Sequence, residues 1–345
     1  MYYLMQNKME NNSSASSQIQ FLSKIEDILP PSTTMVMELS DLLKISTDSA
    51  YRRMRGETLL DFNEIRILCN HFKVSFDTMS GSEDSHVTFN FSIIDKSYEG
   101  FKEYLSNLLH NMNLIRNSKN GIIYYVSRDM PIFQNYMYPV FAAFKMFYWM
   151  KSVMNIPKLE MEKFSMENIP DEFHQLGRAI FEAYSEIPSI EIWTDSTVHS
   201  AIKQIEYYWD SGLFKSTEDA LRVVNELEQL LFDIQKYAEL GSKKVMGNNI
   251  LAEGNYKFYN SDIEIPNNNV LVEMGDTQLV FHSHHTFYIM STANKSYVDE
   301  TRLWIDNLLK KSMLISGISE KQRFQFFKKV MTPVEKLKKR IEDGE

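Results

Sequence analysis

The sequence predicts two folds in series: a small all-α bundle over residues 18–79, then a larger α+β region over residues 87–345. Three observations carry this. Between Gln18 and Met79 apolar residues recur at helical spacing in short blocks separated by turn signals. The run Ser80-Gly81-Ser82-Glu83-Asp84-Ser85 is too small and acidic to build a core, so residues 80–86 read as a linker. Directly afterwards Val87, Phe89, Phe91 and Ile93 alternate with mostly polar residues, which is strand periodicity, and helical and strand patterns mix from there to the end.

In order, residues 1–17 are polar and rich in Asn and Ser, with too little apolar surface to order themselves. The helical blocks of the bundle are Phe21 to Leu29, Met37 to Leu43, Thr47 to Arg55 and Phe62 to Phe72, with a last turn near Phe76. In the larger region Tyr98 to Ile115 reads as a helix, Ile122 to Val126 as a strand, Ile132 to Met154 as mostly helical and Ile190 to Trp193 as a short strand. Two long helices follow, one over Ser196 to Trp209 and one capped by Ser216 with Asp219 and stopped at Gly241. Short strands near Tyr256 to Phe258, Val270 to Met274, Leu279 to His282 and Phe287 to Met290, with turns at Asn267-Asn268-Asn269 and Gly275-Asp276, suggest an antiparallel meander. Amphipathic helices over Val298 to Leu314 and Glu320 to Ile341 complete the pattern. Their apolar stripes, with Trp304, Ile305 and Leu308 on the first and Phe326, Val330 and Leu337 on the second, need either a second copy of the chain or the region's own sheet as a partner.

Composition narrows the function classes. With 43% hydrophobic and 24% charged residues the chain is an ordinary globular protein of 345 residues, long enough for two or three cores. A net charge of −9 argues against coating nucleic acid through a general positive field, so any such contact must be local. The single Cys69 leaves no internal disulfide and no Cys-rich zinc site, which fits a cytoplasmic protein. The start lacks the apolar core of a signal peptide, and the apolar stretch Tyr136 to Met150 is too short to span a bilayer, so no membrane partner is expected.

The first block carries a recognisable pattern: Glu38-Leu39-Ser40-Asp41-Leu42-Leu43-Lys44-Ile45-Ser46, then Thr47 to Arg55, then Gly56-Glu57. Small Ser40 permits a close helix crossing, Ile45 plugs the core at the turn, Ser46 caps the next helix and Gly56 ends it. From Met37 to Met79 this resembles the helix-turn-helix family of phage repressors and Cro-like bacterial regulators, the XRE type. The resemblance implies double-stranded DNA as partner, with the second helix lying in the major groove. Carried over to this sequence, its base-reading turn holds Thr47, Asp48, Tyr51 and Arg52. Arg52 suits bidentate contact to guanine, Asp48 accepts from cytosine or favours the helix N-terminus, and Arg53 and Arg55 meet phosphates. Ala50 and Met54 face the core.

Two positions depart from the family pattern: Val36 stands where many relatives have Gln, and Lys44 where the turn usually has Gly. From Met37 to Met79 there are six basic residues (Lys44, Arg52, Arg53, Arg55, Arg66, Lys73) against seven acidic ones (Glu38, Asp41, Asp48, Glu57, Asp61, Glu64, Asp77). One such near-neutral module binds DNA weakly, so a homodimer is expected. The plain alternative is a bundle that makes protein contacts only.

Elsewhere, strand alternation puts His282 and His284 on one face as metal-ligand candidates with Glu273 on a neighbouring strand, although no accompanying motif makes them a zinc site. The aromatic block with Phe141, Phe144, Phe147 and Tyr148 is either core or the lining of an apolar effector pocket. Cys69 lies on the apolar side of its helix, and Glu191, Trp193, Asp195 and Lys203 cluster near a strand end without diagnostic spacing. No P-loop, dinucleotide fingerprint, GxSxG or Ser–Lys arrangement is present, so the sequence predicts no enzyme and calls for no cofactor. It reads as a transcription regulator whose larger region dimerises and senses a small-molecule or protein effector. The alternative is an antitoxin-like or scaffold interaction protein with secondary DNA binding.

Overall fold

The computed structural model describes residues 17–23, 25–26, 29, 33–72, 74, 87–243, 254–284 and 288–345. The expected N-terminal tail up to residue 16, the turn near Phe76 and the linker over 80–86 lie outside the described residues, whereas Ser17 is already helical. The chain divides into two compact units, Met1–Thr88 and Phe89–Glu345.

The first unit holds helical residues 17–23 and 25–26 followed by α1 (Met35–Leu43), α2 (Thr47–Met54) and α3 (Phe62–Phe72). Its core gathers one stripe from each: Phe21, Leu22 and Ile25, then Met35 and Leu39, Ala50, and Leu68, with Leu60 from the loop. Ile45, Met54, Cys69 and Phe72 pack around this core, half-buried.

The second unit is built on one eight-stranded mixed sheet flanked by helices, an α+β fold. Its elements are β1 (Asn90–Phe91), α4 (Tyr98–Asn117), β2 (Ile122–Ser127), α5 (Pro139–Tyr148), α6 (Asp171–Glu186) and β3 (Ser189–Trp193). These are followed by α7 (His199–Asp210), α8 (Thr217–Leu240), β4 (Tyr256–Asn260), β5 (Asn269–Met274), β6 (Thr277–His284) and β7 (Tyr288–Thr292). The last elements are α9 (Lys295–Lys311), β8 (Met313–Leu314) and α10 (Glu320–Asp343).

The strand order is β1-β7-β6-β5-β2-β3-β4-β8. β5, β6 and β7 form the expected antiparallel meander, while β2, β3 and β4 are parallel neighbours, each reached by a helical crossover. Side-chain alternation gives the sheet two faces. Ile123, Tyr125, Trp193, Tyr256, Phe258 and Val272 point into the main core with buried residues of α4 to α8 and α10. Tyr124, Val126, Ile192, Leu271 and Val280 point the other way, where α9 covers them with Val298, Ile305 and Leu308.

Several elements are fixed by local chemistry. Ser216 caps α8, its Oγ accepting from Asp219 N at 3.1 Å, and Gly241 ends that helix at φ 62°. The aromatic block is core: Phe144 packs against the rings of Phe164, Tyr208 and Phe214, which fill the space an effector pocket would need. The helix expected over Val298 to Leu314 stops at Lys311, because Met313 and Leu314 pair with Asn260 and Tyr259 as an edge strand. The stripe on α10 is covered by the chain itself: Phe326, Phe327, Val330, Val334, Leu337 and Ile341 are all buried in the main core. The strand expected over Val87 to Ile93 is reduced to Asn90–Phe91. Among the described residues no helix is long and apolar enough to cross a membrane.

Candidate nucleic-acid interface and a buried carboxylate centre

Helix α1 ends at Lys44, whose backbone is left-handed (φ 55°, ψ 43°) and whose N–H donates to Ser40 O. Ile45 N donates to the same carbonyl at 3.2 Å, turning the chain sharply into Ser46. Ser46 Oγ then accepts from Ser49 N at 3.2 Å and starts α2. At about 100° per residue, Thr47, Asp48, Tyr51, Arg52 and Arg55 fall within one arc of roughly 140° on and just beyond α2. All five are exposed, and Ala50 on the other side of the helix is fully buried.

Arg53 falls opposite that arc, and its guanidinium closes on α3. Nη2 lies 2.7 Å from Glu64 Oε1 and Nε lies 3.1 Å from Glu64 Oε2, a bidentate pair largely screened from solvent. Glu64 is itself held by a capping box at the start of α3: Asp61 N donates to its Oε2 at 3.1 Å, and Glu64 N donates to Asp61 Oδ1 at 2.9 Å. Arg53 is thus committed to Glu64, and Arg52 and Arg55 are the basic side chains that α2 turns outward. Arg55 is bound to Glu57 at 2.6 Å, a hydrogen-bonded contact that holds the Glu57 carboxyl below its usual range, and Arg52 stands 3.8 Å from the same carboxylate.

Sequence reasoning missed Gln18. Its Nε2 donates to Arg53 O and Thr58 O, both at 2.8 Å, and its Oε1 accepts from Leu60 N at 2.7 Å. One amide therefore fastens the first helical residues to both ends of the turn after α2. No periodicity announces it, because a lone Gln looks like surface.

The second unit has a different polar centre. Ser189, Glu191 and Trp193 share the face of β3 that points into the main core, and Glu191 is fully buried. Its carboxylate accepts from Gln134 Nε2 at 2.8 and 3.0 Å, from Trp193 Nε1 at 2.8 Å and from Tyr184 OH. Burial pushes the Glu191 carboxyl up, while the Tyr184 hydroxyl, the charge of Lys243 and the Trp193 indole pull it back. Lys243 lies in the same region: its Nζ donates to Ile187 O at 2.7 Å and to Tyr184 O and Ser189 Oγ at 2.8 Å, 3.7 Å from the centre of the Tyr184 ring. Burial brings Lys243 down to about 7, opposed by the charge of Glu191. The Glu191 carboxylate and the Lys243 amine both spend their polar atoms on neighbours inside the fold, which makes the cluster a fastener between β3, the end of α6 and the chain after α8. Asp195 and Lys203, grouped with Glu191 in the sequence, are exposed, and Lys203 pairs with Glu206 at 2.7 Å.

The histidines do not converge with Glu273. Register places Glu273 opposite Gln278, four residues from His282 and so about 13 Å along the strand. His282 Nε2 instead lies 2.7 Å from Tyr297 OH, and Glu273 receives Arg302 at 2.6 Å. Among the described residues no group of His, Cys, Asp and Glu is arranged to hold a metal ion. His285 lies outside them. A shallow groove of about 420 Å³ runs past Tyr98, Lys102, Lys158, Glu172 and Phe173, but Lys102 is closed by Glu172 at 2.6 Å and Lys158 sits 5.1 Å over the Tyr98 ring. Comparison with protein-family models, curated proteins and solved structures finds no match to the chain.

Proposed function

We propose that the first unit is a helix-turn-helix DNA-binding module of the phage-repressor type, and that the chain is a homodimeric transcription regulator acting on double-stranded operator DNA. The second unit supplies dimerisation and effector sensing. The observation that carries this reading is the outward arc of α2, where Thr47, Asp48, Tyr51, Arg52 and Arg55 are exposed together while Ala50 anchors the helix to the core. Such a helix presents its first turns to base edges in the major groove. Arg52 reads guanine, Asp48 and Thr47 meet neighbouring bases, Tyr51 stacks beside them and Arg55 reaches a phosphate. Arg53 acts from behind, holding α2 on α3 through Glu64.

Selection of duplexes from a randomised pool by the full chain tests this, followed by Arg52→Ala on the selected site. A bidentate base contact is worth about 1–3 kcal/mol, so binding there falls about 5- to 150-fold and binding to random DNA falls less. Equal loss on both would make Arg52 a phosphate anchor. Failure of the folded chain to enrich any duplex would remove the reading in favour of an antitoxin-like or scaffold interaction protein.

A further inference from the structure

Helix α9 covers its face of the sheet with one side only, burying Val298, Thr301, Ile305 and Leu308. Its other side exposes Glu300, Leu303, Trp304, Asn307, Lys310 and Lys311. Leu303 is 52% and Trp304 37% exposed, so two large apolar side chains stand in water at the middle of this surface. Positions 300, 304, 307 and 311 step by four, three and four residues, the spacing of a helix–helix seam, and at about 100° per residue they fall within an arc of roughly 60°.

The charges along this seam are ordered. Glu300 lies at one end and Lys310 and Lys311 at the other, about 16 Å apart at the helical rise. The remaining charged side chains of α9 are already paired: Lys295 with Asp299 at 2.7 Å, and Arg302 with Glu273 at 2.6 Å and Asp306 at 3.2 Å. Among the described residues Glu300, Lys310 and Lys311 hold no ion pair within the chain.

An acid at one end, bases at the other and apolar groups between them complement the same helix turned end for end. With a two-fold axis beside the middle of α9, Glu300 of each copy meets Lys311 of the other, and each Trp304 packs beside the partner's Asn307. A parallel pairing would set Glu300 on Glu300 and Lys311 on Lys311, so the charge order selects the antiparallel one. We infer that the solvent face of α9 is the homodimer interface and that its partner is a second copy of this chain. This deepens the dimeric part of the function proposed above and locates it on α9 rather than on α10. A single helix face lies at or below the low end of specific interfaces, about 1,200 Å² in total, so the dimer dissociates on dilution and weakens with salt.

Sedimentation velocity of the full chain without DNA tests this, so failure of the interface is told apart from failure of DNA recognition. The wild type is expected to show a concentration-dependent monomer–dimer equilibrium, and Trp304→Glu to be monomeric. Glu300→Lys and Lys311→Glu each replace two attractions by two repulsions and weaken the dimer by about tenfold at low salt. The double variant restores the attractions with signs exchanged and recovers the dimer. These positions are exposed, so circular dichroism melting at concentrations too low for dimerisation is expected to be unchanged. A wild type that stays monomeric at the highest soluble concentration, a dimer indifferent to Trp304→Glu, or a double variant as weak as the single ones would overturn the proposal.

Discussion

The two units use polar side chains in opposite ways. In the first, the bidentate Arg53–Glu64 pair lies at the rim of a small core, and the polar residues of α2 beyond it point outward. In the second, Glu191 and Lys243 lie deep inside, with each charged atom matched by partners from other elements. A small bundle keeps its ionic groups close to water and can present the rest to a partner at low desolvation cost. A large core that takes in a carboxylate and an amine must satisfy both completely, and the price is that neither remains available to a ligand. The contrast therefore separates polar side chains left open to water from polar side chains spent inside the fold.

The largest effect expected from breaking this contrast comes from Lys243→Met. It leaves the buried Ile187 carbonyl without its donor, takes one of two donors from the Tyr184 carbonyl and the Ser189 hydroxyl, and removes the charge that favours the buried Glu191 carboxylate, which together cost about 3 kcal/mol or more. All four tryptophans lie in the second unit, so urea unfolding followed by tryptophan fluorescence reports on that unit alone. Lys243 titrates near 7 when folded and near 10.5 when unfolded, so between those values the unfolded chain binds more protons. Stability of the wild-type second unit therefore rises with pH from about 7 until tyrosines begin to ionise in the unfolded chain below 10, where Tyr104, Tyr125 and Tyr184, held protonated in the fold by burial, oppose the rise. Lys145, brought down to about 8 by burial, adds to that rise from its own side of the core. In Lys243→Met only the Lys145 share of the slope remains. A variant with wild-type stability and an unchanged slope would show that Lys243 is not held as described.

A middle-sized effect is expected at the rim of the first unit. Arg53→Ala strips a charged partner from Glu64 and loosens α2 from α3, a loss of about 1–3 kcal/mol for a charge-assisted pair this well shielded. Amide hydrogen exchange of α2 and α3 reads it directly. Arg55→Ala, whose partner Glu57 is exposed, leaves that protection unchanged, and a larger loss there than at Arg53 would reverse the assignment of inner and outer arginines.

Local chemistry made much of this fold legible. Ser216 and Gly241 announce the ends of α8, and the alternating residues of β5 and β6 announce a meander, because caps and periodicities act over a few residues. The outward arc of α2 is legible for the same reason: helical spacing alone separates Thr47, Asp48, Tyr51 and Arg52 from Ala50. Strand order is not local, and nothing in Ile122 to Ser127 tells that it pairs in parallel with β3 on one side and antiparallel with β5 on the other. The β3 sequence Ser-Ile-Glu-Ile-Trp did hold a clue. Apolar residues on both faces imply a strand buried on both sides, so Glu191 must have partners, but only tertiary structure names Gln134 and Tyr184. The stripe of α10 was ambiguous for a physical reason, since burying Phe326 against Phe258 of β4 or against a second chain leaves the same pattern in the sequence.

The smallest expected effect sharpens the first half of the comparison, at the turn between α1 and α2. Lys44 adopts φ 55° and ψ 43°, a conformation in which a Cβ crowds the following carbonyl at a cost of about 1–2 kcal/mol. Glycine removes that strain but gives back about 0.5–1 kcal/mol through the greater freedom of the unfolded chain. Lys44→Gly is therefore expected to stabilise the first unit by about 0.5–1 kcal/mol, seen as slower exchange of the α1 and α2 amides. Lys44→Ala keeps the Cβ and gains nothing, so the pair of variants isolates backbone strain from the loss of an exposed charge. Should glycine speed exchange instead, the lysine stem must be packing on the turn, and the left-handed residue would be a contact rather than a concession.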